Sequence, residues 1–265
     1  MARPGPGRRT GSLTLVGSGI SLAVHATVET VQAIKRADRV FHLLLDDAAT
    51  TWLRRLNSNE STLLDCYRED QPRYLAYRKM EARIANAVRA GQRVCAVFYG
   101  HPGVLVNPAH RAMRRLRREG YEVTMLPGIS AEACLYADLG VNPGDQGCQS
   151  YEATNFLAFR RRIDPTSALI LWQVGVLGER GLPGRDGARP ARLRVLAQRL
   201  LRYYPPTHSV FVYRASTLPI ASFRVRKTRL DRFHRAHVTR ADTVYLPPLP
   251  NRAPDPSILE WLHES

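Results

Sequence analysis

In the first half of the chain, short apolar segments that end at glycine-containing turns alternate with amphipathic segments. Residues 13–16 lead into GSG at 17–19, residues 93–99 lead into GHPG at 100–103, and residues 121–126 lead into PGIS at 127–130. Strands and helices that alternate at this spacing predict an α/β fold with a mostly parallel sheet and helices on its faces. Glycine-containing turns at the carboxyl ends of such strands are typical of ligand crevices.

After residue 131 the alternation of strands and helices continues less cleanly, and the whole sequence predicts two α/β lobes. It predicts a flexible N-terminal arm (1–10), an N-terminal α/β lobe (11–128), a C-terminal α/β lobe (129–250) and a tail (251–265). Helices are predicted at 25–37, 48–56, 73–90, 107–118, 131–139 and 191–203. Strands are predicted at 13–16, 39–45, 93–100, 121–126, 167–175, 208–215 and 242–250. Residues 57–73 and 140–155 are read as polar or irregular, and 178–190 as an exposed loop to which we assign no role.

Composition narrows the class of protein. The hydrophobic fraction of 44% is that of a globular chain. The sequence holds no apolar run of roughly 18 to 20 residues and no N-terminal secretion signal. The four cysteines are widely spaced, which favours reduced thiols in a cytoplasmic protein. His234 and His237 lack the further ligands that a metal site needs, so no metal is predicted.

The formal net charge of +16 invites a nucleic-acid interpretation. Only three of the 39 basic residues are lysines, and such a skew fits an arginine-rich codon bias equally well. The densest run, at 110–120, has helical spacing and so predicts a solvated arginine face rather than a nucleic-acid groove. An acidic protein partner is the third reading of the charge.

The glycine turns fit neither common nucleotide motif. Leu22 stands where G-x-G-x-x-G requires glycine, and no G-x-x-x-x-G-K-[ST] occurs. Together, however, LTLVGSGI, FYGHPGV and MLPGISA resemble the tetrapyrrole methylase superfamily. The resemblance implies a two-lobed α/β fold (class III) that binds S-adenosylmethionine between its lobes. Within it, the chain looks most like the borosin-type peptide backbone α-N-methyltransferases, whose segments ADLG, YEAT, WQVG and YLPP follow in the same order between 11 and 248.

The resemblance implies which residues contact the cofactor and its product S-adenosylhomocysteine. They follow the strand ends and turns of both lobes: Tyr99, His101, Val104, Ser130, Ala131, Gln173, Ala215, Asp242 and Thr243. It also implies a catalytic loop in which a tyrosine, an arginine and a second tyrosine recur at fixed spacing. Here they are Tyr67, Arg73 and Tyr77.

The chemistry of amide methylation suits these residue types. An amide nitrogen is a poor nucleophile because its lone pair is delocalised into the carbonyl. A guanidinium beside a tyrosine favours the phenolate and stabilises a developing imidate oxygen. We therefore expect Tyr67 or Tyr77 to act as base, Arg73 to polarise the carbonyl and Tyr99 to orient the amide. Without the resemblance, these tyrosines are better read as half-buried aromatics that pack the loop.

The resemblance also carries expectations about the acceptor and the assembly. Fused members of the family carry their core peptide on their own C-terminus, whereas this chain ends soon after YLPPLP. We therefore expect a separate ribosomally made precursor, as in split borosin natural-product (RiPP) biosynthesis. The expected assembly is a homodimer or a 2:2 complex with that precursor, without a membrane or nucleic acid.

Two alternatives stay open within the superfamily. One is a C-methyltransferase for a uroporphyrinogen- or precorrin-type tetrapyrrole. It is disfavoured because GSGIS and GHP stand where G-x-G-P-G-D and G-D-P are usual. The other is a ribosomal RNA ribose methyltransferase of this fold, whose RNA affinity would fall as salt rises.

Overall fold

The computed structural model describes residues 10–44, 46–68, 71–179, 187–250 and 254–264. These residues form two compact units. The first comprises the described residues up to Leu139, Glu179 and the segment Ala215–Phe223. The second comprises those of Gly140–Gly178, Arg185–Arg214 and Arg224–Ser265. The predicted boundary at 128/129 thus differs from the structural one, because the helix that follows residue 130 belongs to the first unit. Of the predicted arm, only Thr10 lies within the described residues.

The first unit is an α/β sandwich whose strands all run parallel. Its elements in chain order are β1 (Ser12–Gly17), α1 (Val28–Arg36), β2 (Arg39–Leu43), α2 (Asp47–Leu56), β3 (Glu60–Thr62), α3 (Arg73–Arg89), β4 (Arg93–Phe98), α4 (Asn107–Arg118), β5 (Glu122–Met125) and α5 (Ala131–Leu139). Within the described part of the chain its strand order is β3-β2-β4-β1-β5. The predicted parallel sheet is confirmed for this unit.

Local sequence explains these elements. Five consecutive residues of β4 are buried, as expected for a central parallel strand covered on both faces. Thr27 and Asp46 cap α1 and α2 by accepting hydrogen bonds from the backbone N–H groups of Thr30 and Ala49. Strand β3 was not predicted, because three polar residues carry too little periodicity to signal a strand.

The second unit has a mixed sheet. Its elements are α6 (Pro143–Gln146), β6 (Cys148–Glu152), α7 (Ala153–Ala158), β7 (Ala168–Trp172), α8 (Pro190–Leu200), β8 (Ser209–Arg214), β9 (Arg224–Arg229), β10 (Thr243–Leu246) and α9 (Pro256–Glu264). Among the described residues the strand order is β6-β7-β10-β8-β9. Only β6 and β7 pair in parallel, and the other neighbours are antiparallel.

The sequence assigned no strand directions to this sheet, which is mostly antiparallel because β10 lies between β7 and β8 and runs opposite to both. Other predictions for the second unit were wrong. Residues 140–155, read as irregular, contain α6, β6 and the first half of α7. Strand β9 (RVRKTR) was missed because it is exposed along nearly its whole length and lacks apolar alternation. In the predicted tail, residues 256–264 form helix α9. No helix within the described ranges is both long and apolar enough to cross a membrane.

A close backbone contact in the second unit gives a test of this fold. A Cβ atom on buried Gly175 would lie 2.0 Å from the carbonyl oxygen of Thr239. We expect Gly175→Ala to destabilise the protein by about 3 kcal/mol, because the backbone must move to admit the methyl group. The matched control is Gly144→Ala, whose new methyl group meets the flexible side chain of Asn142. A similar fall in the thermal unfolding midpoint for both variants would contradict this packing.

Candidate functional site

The three glycine turns of the first unit converge at the carboxyl ends of neighbouring strands. A Cβ atom on Gly17 would lie 2.0 Å from the carbonyl oxygen of Gly100. One on Gly128 would lie 3.1 Å from that oxygen and 3.3 Å from the Cα of Gly17. Strands β4, β1 and β5 are adjacent in the sheet, which brings the turns together. The prediction that these turns lie at the ends of parallel strands is confirmed.

Backbone hydrogen bonds lock two of these turns to each other. Gly19 and Gly100 form an isolated antiparallel bridge, in which each N–H donates to the other's carbonyl at 3.2 and 3.0 Å. Both glycines have positive φ, of 72° and 74°. Residues with a Cβ rarely adopt this conformation, so the bridge requires glycine at these positions.

His101 holds the GHPG turn from inside. Its Nδ1 accepts a hydrogen bond from the N–H of Gly103 at 2.9 Å, and His110 Nε2 donates to the carbonyl of Gly103 at 2.7 Å. Burial, and then the nearby His110, lower the pKa of His101. The imidazole is therefore neutral near pH 7, and its structural role is to fix the turn. Val104, the next predicted contact, is partly exposed beyond this turn.

Ser130 and Ala131 lie where the third turn enters α5. The Oγ of Ser130 accepts a hydrogen bond from the N–H of Ala133 at 3.2 Å, and its carbonyl accepts from the N–H of Cys134. Both residues are half-buried. Ser130 is thus the capping residue of α5, and its hydroxyl oxygen is already engaged by the backbone.

Tyr99 lines a small cleft within the first unit. The cleft is also lined by Ser18, Gly19, Leu44, Asp46 and Thr217. Partial burial, and then the proximity of Cys134 and Asp46, raise the pKa of Tyr99 to about 12. The phenol therefore stays protonated at neutral pH and can donate a hydrogen bond into the cleft.

Two polar residues of this cleft escaped the sequence-based prediction. Asp46 follows strand β2, so its position at a carboxyl strand end was an available signal. Thr217 gave no such signal. Thr217 lies in the segment after β8 that belongs to the first unit. Its carbonyl accepts a hydrogen bond from the N–H of Leu22 at 2.9 Å.

The loop tyrosines pack together as predicted from their spacing, but their electrostatics differ from expectation. The rings of Tyr67 and Tyr77 meet edge to face with centroids 6.3 Å apart. Arg73 is the first residue of α3. Burial, and then a hydrogen bond and charge interaction with Tyr77, raise the pKa of Tyr67, and the lowering by Arg73 is smaller. Arg73 thus acts on Tyr67 in the expected direction, but burial outweighs it and the net pKa of Tyr67 is raised.

The predicted residues of the second unit lie where strand β7 ends and the neighbouring strand β10 begins. Gln173 follows β7 and adopts a left-handed conformation, with φ of 56°, which is uncommon for a residue with a side chain. Asp242 and Thr243 are buried at the start of β10, the antiparallel neighbour of β7. Ala215 follows β8 and belongs to the first unit.

The carboxylate of Asp242 is held by several donors. Arg214 Nε donates to Oδ1, and the N–H of Thr239 donates to Oδ2, both at 2.7 Å. Burial alone would raise the pKa of Asp242, but these hydrogen bonds and the positive charge of Arg214 lower it. Asp242 therefore fixes the turn that leads into β10. Within the described residues, no three His, Cys, Asp or Glu side chains are grouped so as to hold a metal ion.

Comparison with known proteins gives the sequence relationships. The family described as tetrapyrrole (corrin/porphyrin) methylases matches residues 12–232. A methyltransferase/ribosomally synthesized type I borosin cyclic peptide precursor from Coprinopsis marcescibilis is 39% identical over 91% of this chain and 63% of that protein. A second, from Serendipita vermifera subsp. bescii, is 37% identical over 93% of this chain and 61% of that protein. A methyltransferase/ribosomally synthesized cyclic peptide omphalotin A precursor from Omphalotus olearius is 35% identical over 96% of this chain and 62% of that protein. The chain thus spans about three fifths of the length of these relatives.

Solved structures confirm the fold. Uroporphyrin-III-C-methyltransferase from Thermus thermophilus superposes with a TM-score of 0.64 at 18% identity, over 92% of this chain and 98% of that chain. The same enzyme complexed with S-adenosyl homocysteine gives a TM-score of 0.61 at 18% identity, over 89% and 97%. Cobalt precorrin-4 methyltransferase superposes with a TM-score of 0.63 at 14% identity, over 89% of this chain and 94% of that chain.

The lowered pKa of Asp242 gives a prediction about acid stability. Because its folded-state pKa is depressed, its contribution to stability is present above the unfolded pKa, near 4, and is lost as pH falls through the folded pKa. We expect Asp242→Asn to lose roughly 2 kcal/mol at pH 7. It should also unfold with a weaker pH dependence below about pH 4 than the parent. Thermal unfolding across this range checks it, with Asp47→Asn, at an exposed position of α2, as control. An unchanged pH dependence in Asp242→Asn would contradict the assignment.

Proposed function

We propose that this chain, which belongs to the tetrapyrrole (corrin/porphyrin) methylase family, is an S-adenosylmethionine-dependent methyltransferase that methylates backbone amides of a peptide. The observation that carries the proposal is the 35–39% identity, over at least nine tenths of the chain, to proteins named as borosin methyltransferase/precursors. The fold alone supports a methyltransferase without selecting the acceptor, because its structural neighbours are named for tetrapyrrole substrates.

The first unit fits such a cofactor. Gly17 and Gly128 leave little room for a Cβ atom where their turns pack on Gly100, so three backbone segments lie side by side at the strand ends. Similar glycine turns allow close approach of the backbone to nucleotide-type ligands. We propose that the cofactor is held by the nine residues named from the resemblance, with His101 fixing its turn and Asp242 acting through the position of Thr243. When bound, S-adenosylmethionine supplies an electrophilic methyl group on its sulfonium.

The tyrosine pair supports a division of roles at the acceptor amide. Burial, and then the neighbouring Tyr77, raise the pKa of Tyr67, which disfavours its phenolate. The ring of Tyr77 meets that of Tyr67 edge to face, and Tyr77 lies one helical turn from Arg73. We propose that Tyr77 takes the amide proton while Tyr67 supports it. Arg73 would stabilise the carbonyl oxygen as charge develops. Tyr99, protonated, would orient the amide by donating a hydrogen bond.

Two further parts of the proposal rest on the resemblance to split borosin systems. The acceptor is proposed to be a separate precursor protein, whereas the names of the relatives join methyltransferase and precursor in one protein. The assembly is proposed to be a cytoplasmic homodimer or a 2:2 complex with that precursor. Light scattering on the purified chain, with and without precursor, measures the mass of each assembly directly.

The acceptor class is tested by co-expression with each small open reading frame beside the gene, followed by tandem mass spectrometry. We expect methyl mass increments on fragment ions that place them on backbone nitrogen atoms. Incubation with a uroporphyrinogen is the matched control. Methylated tetrapyrrole together with unmodified peptides would overturn the peptide assignment and leave the fold assignment intact.

The roles in the loop are tested by variants that keep its packing. We expect Tyr77→Phe to lower the single-turnover rate by about 100-fold or more, because a positioned proton acceptor contributes at least that much. Its affinity for cofactor, measured by calorimetry, should not change. Tyr74→Phe is the control, since Tyr74 is exposed on the same helix turn. A Tyr77→Phe protein that methylates at the parent rate would rule out Tyr77 as the base.

A further inference from the structure

A run of exposed arginines follows helix α7 in the second unit. Phe159 is 67% exposed, and Arg160, Arg161 and Arg162 are exposed beside it. None of these three guanidinium groups pairs with a carboxylate of the described residues. We call residues 159–162 the arginine loop. Nothing in the proposed methyl transfer uses it.

The backbone of the arginine loop has a defined conformation that places an arginine where glycine is usual. The N–H of Arg160 donates to the carbonyl of Leu157, and the N–H of Arg161 donates to that of Phe156, both at 3.2 Å. This pair of bonds is a Schellman motif, with Arg160 at the left-handed position and a φ of 48°. A side chain disfavours that conformation, so glycine there would end the helix with less strain.

Other side chains fix the loop from below. One terminal nitrogen of Arg199 donates to the carbonyls of Arg160 and Arg161, at 2.9 Å each. The side chain of Gln149 forms hydrogen bonds with both the carbonyl and the N–H of Asp164. Ile163, which connects the loop to Asp164, is buried. The carbonyls of the loop are therefore held by Arg199, and its guanidinium groups remain exposed on a fixed backbone.

The charge around the loop is mainly positive. Arg194 and Arg202, on and just after α8, are exposed and also lack a carboxylate partner within the described chain. The carboxylate beside the loop, that of Asp164, accepts hydrogen bonds from the N–H and hydroxyl of Thr166, at 2.9 and 2.7 Å. A partner of the arginine loop must therefore bring its own negative charge.

We propose that the arginine loop is a docking site for an acidic, extended segment of a partner protein. Guanidinium groups bind carboxylates through two parallel hydrogen bonds, and a pre-ordered loop loses little entropy when it binds. The exposed ring of Phe159 would pack against an apolar side chain between the acidic residues. A single-stranded RNA fits less well, because such sites stack successive bases on several aromatic rings, and Phe159 is the only aromatic residue of the arginine loop.

Binding of a defined probe tests the docking site. The probe is a fluorescein-labelled peptide of alternating glutamate and glycine with a central leucine, measured by fluorescence anisotropy. We expect Arg160→Gln/Arg161→Gln/Arg162→Gln to weaken its binding by about tenfold or more. The control Arg36→Gln/Arg55→Gln/Arg114→Gln removes the same charge from exposed positions of the first unit. An equal loss in both variants would overturn the proposal, because it would show attraction to net charge alone. Tighter binding of a uridine oligomer of equal charge, lost in the loop variant, would also overturn it.

A second variant separates docking from helix termination. Arg160→Gly relieves the left-handed strain, so we expect its thermal unfolding midpoint to rise by a few degrees. Its affinity for the peptide should nevertheless fall. A loop that only ends the helix would gain stability and keep the affinity, which would overturn the proposal. Neither measurement uses cofactor or methyl acceptor, so failure of the proposed methyltransferase activity leaves both results interpretable.

Discussion

The mutual contact of three backbone turns is the constraint on which the first unit depends. Gly17, Gly100 and Gly128 approach so closely that a Cβ atom on Gly17 or Gly128 would lie only 2.0 or 3.1 Å from the carbonyl oxygen of Gly100. Strand β1 lies between β4 and β5, and all three run parallel. The turns that follow their carboxyl ends therefore have to pack on one another. The contact places Tyr99 and His101 next to the bridge and so positions the candidate site.

Burial decides the protonation of this site more than nearby charge does. The hydroxyls of Tyr67 and Tyr99 both have raised pKa values, the first despite the positive charge of Arg73. Taking a phenolate out of water costs more than one partly solvated guanidinium returns.

The second unit is organised by different contacts. Buried Gly175 packs directly on the backbone of Thr239, and the carboxylate of Asp242 binds the N–H of the same residue. These contacts fix the chain where it enters β10, beside the left-handed Gln173 at the end of β7. Strain at Gln173 and at Arg160 marks two positions in this unit where a side chain is kept in a conformation that favours glycine.

The sequence by itself determined the family, the parallel sheet of the first unit and the three turns, because buried strands, helical periodicity and glycine positions are local patterns. Helix α4 was predicted with the bounds that the structure has, since its apolar stripe is complete. Only the tertiary structure decided the antiparallel pairing among β8, β9 and β10, the existence of the exposed strand β9, and the burial that raises the pKa of Tyr67. It also decided the cleft contact of Thr217 and the clamping of Arg160 by Arg199. Each of these features depends on which distant segments pack together and on how much water they exclude. The local spacing of residues in the sequence determines neither the packing nor the exclusion of water.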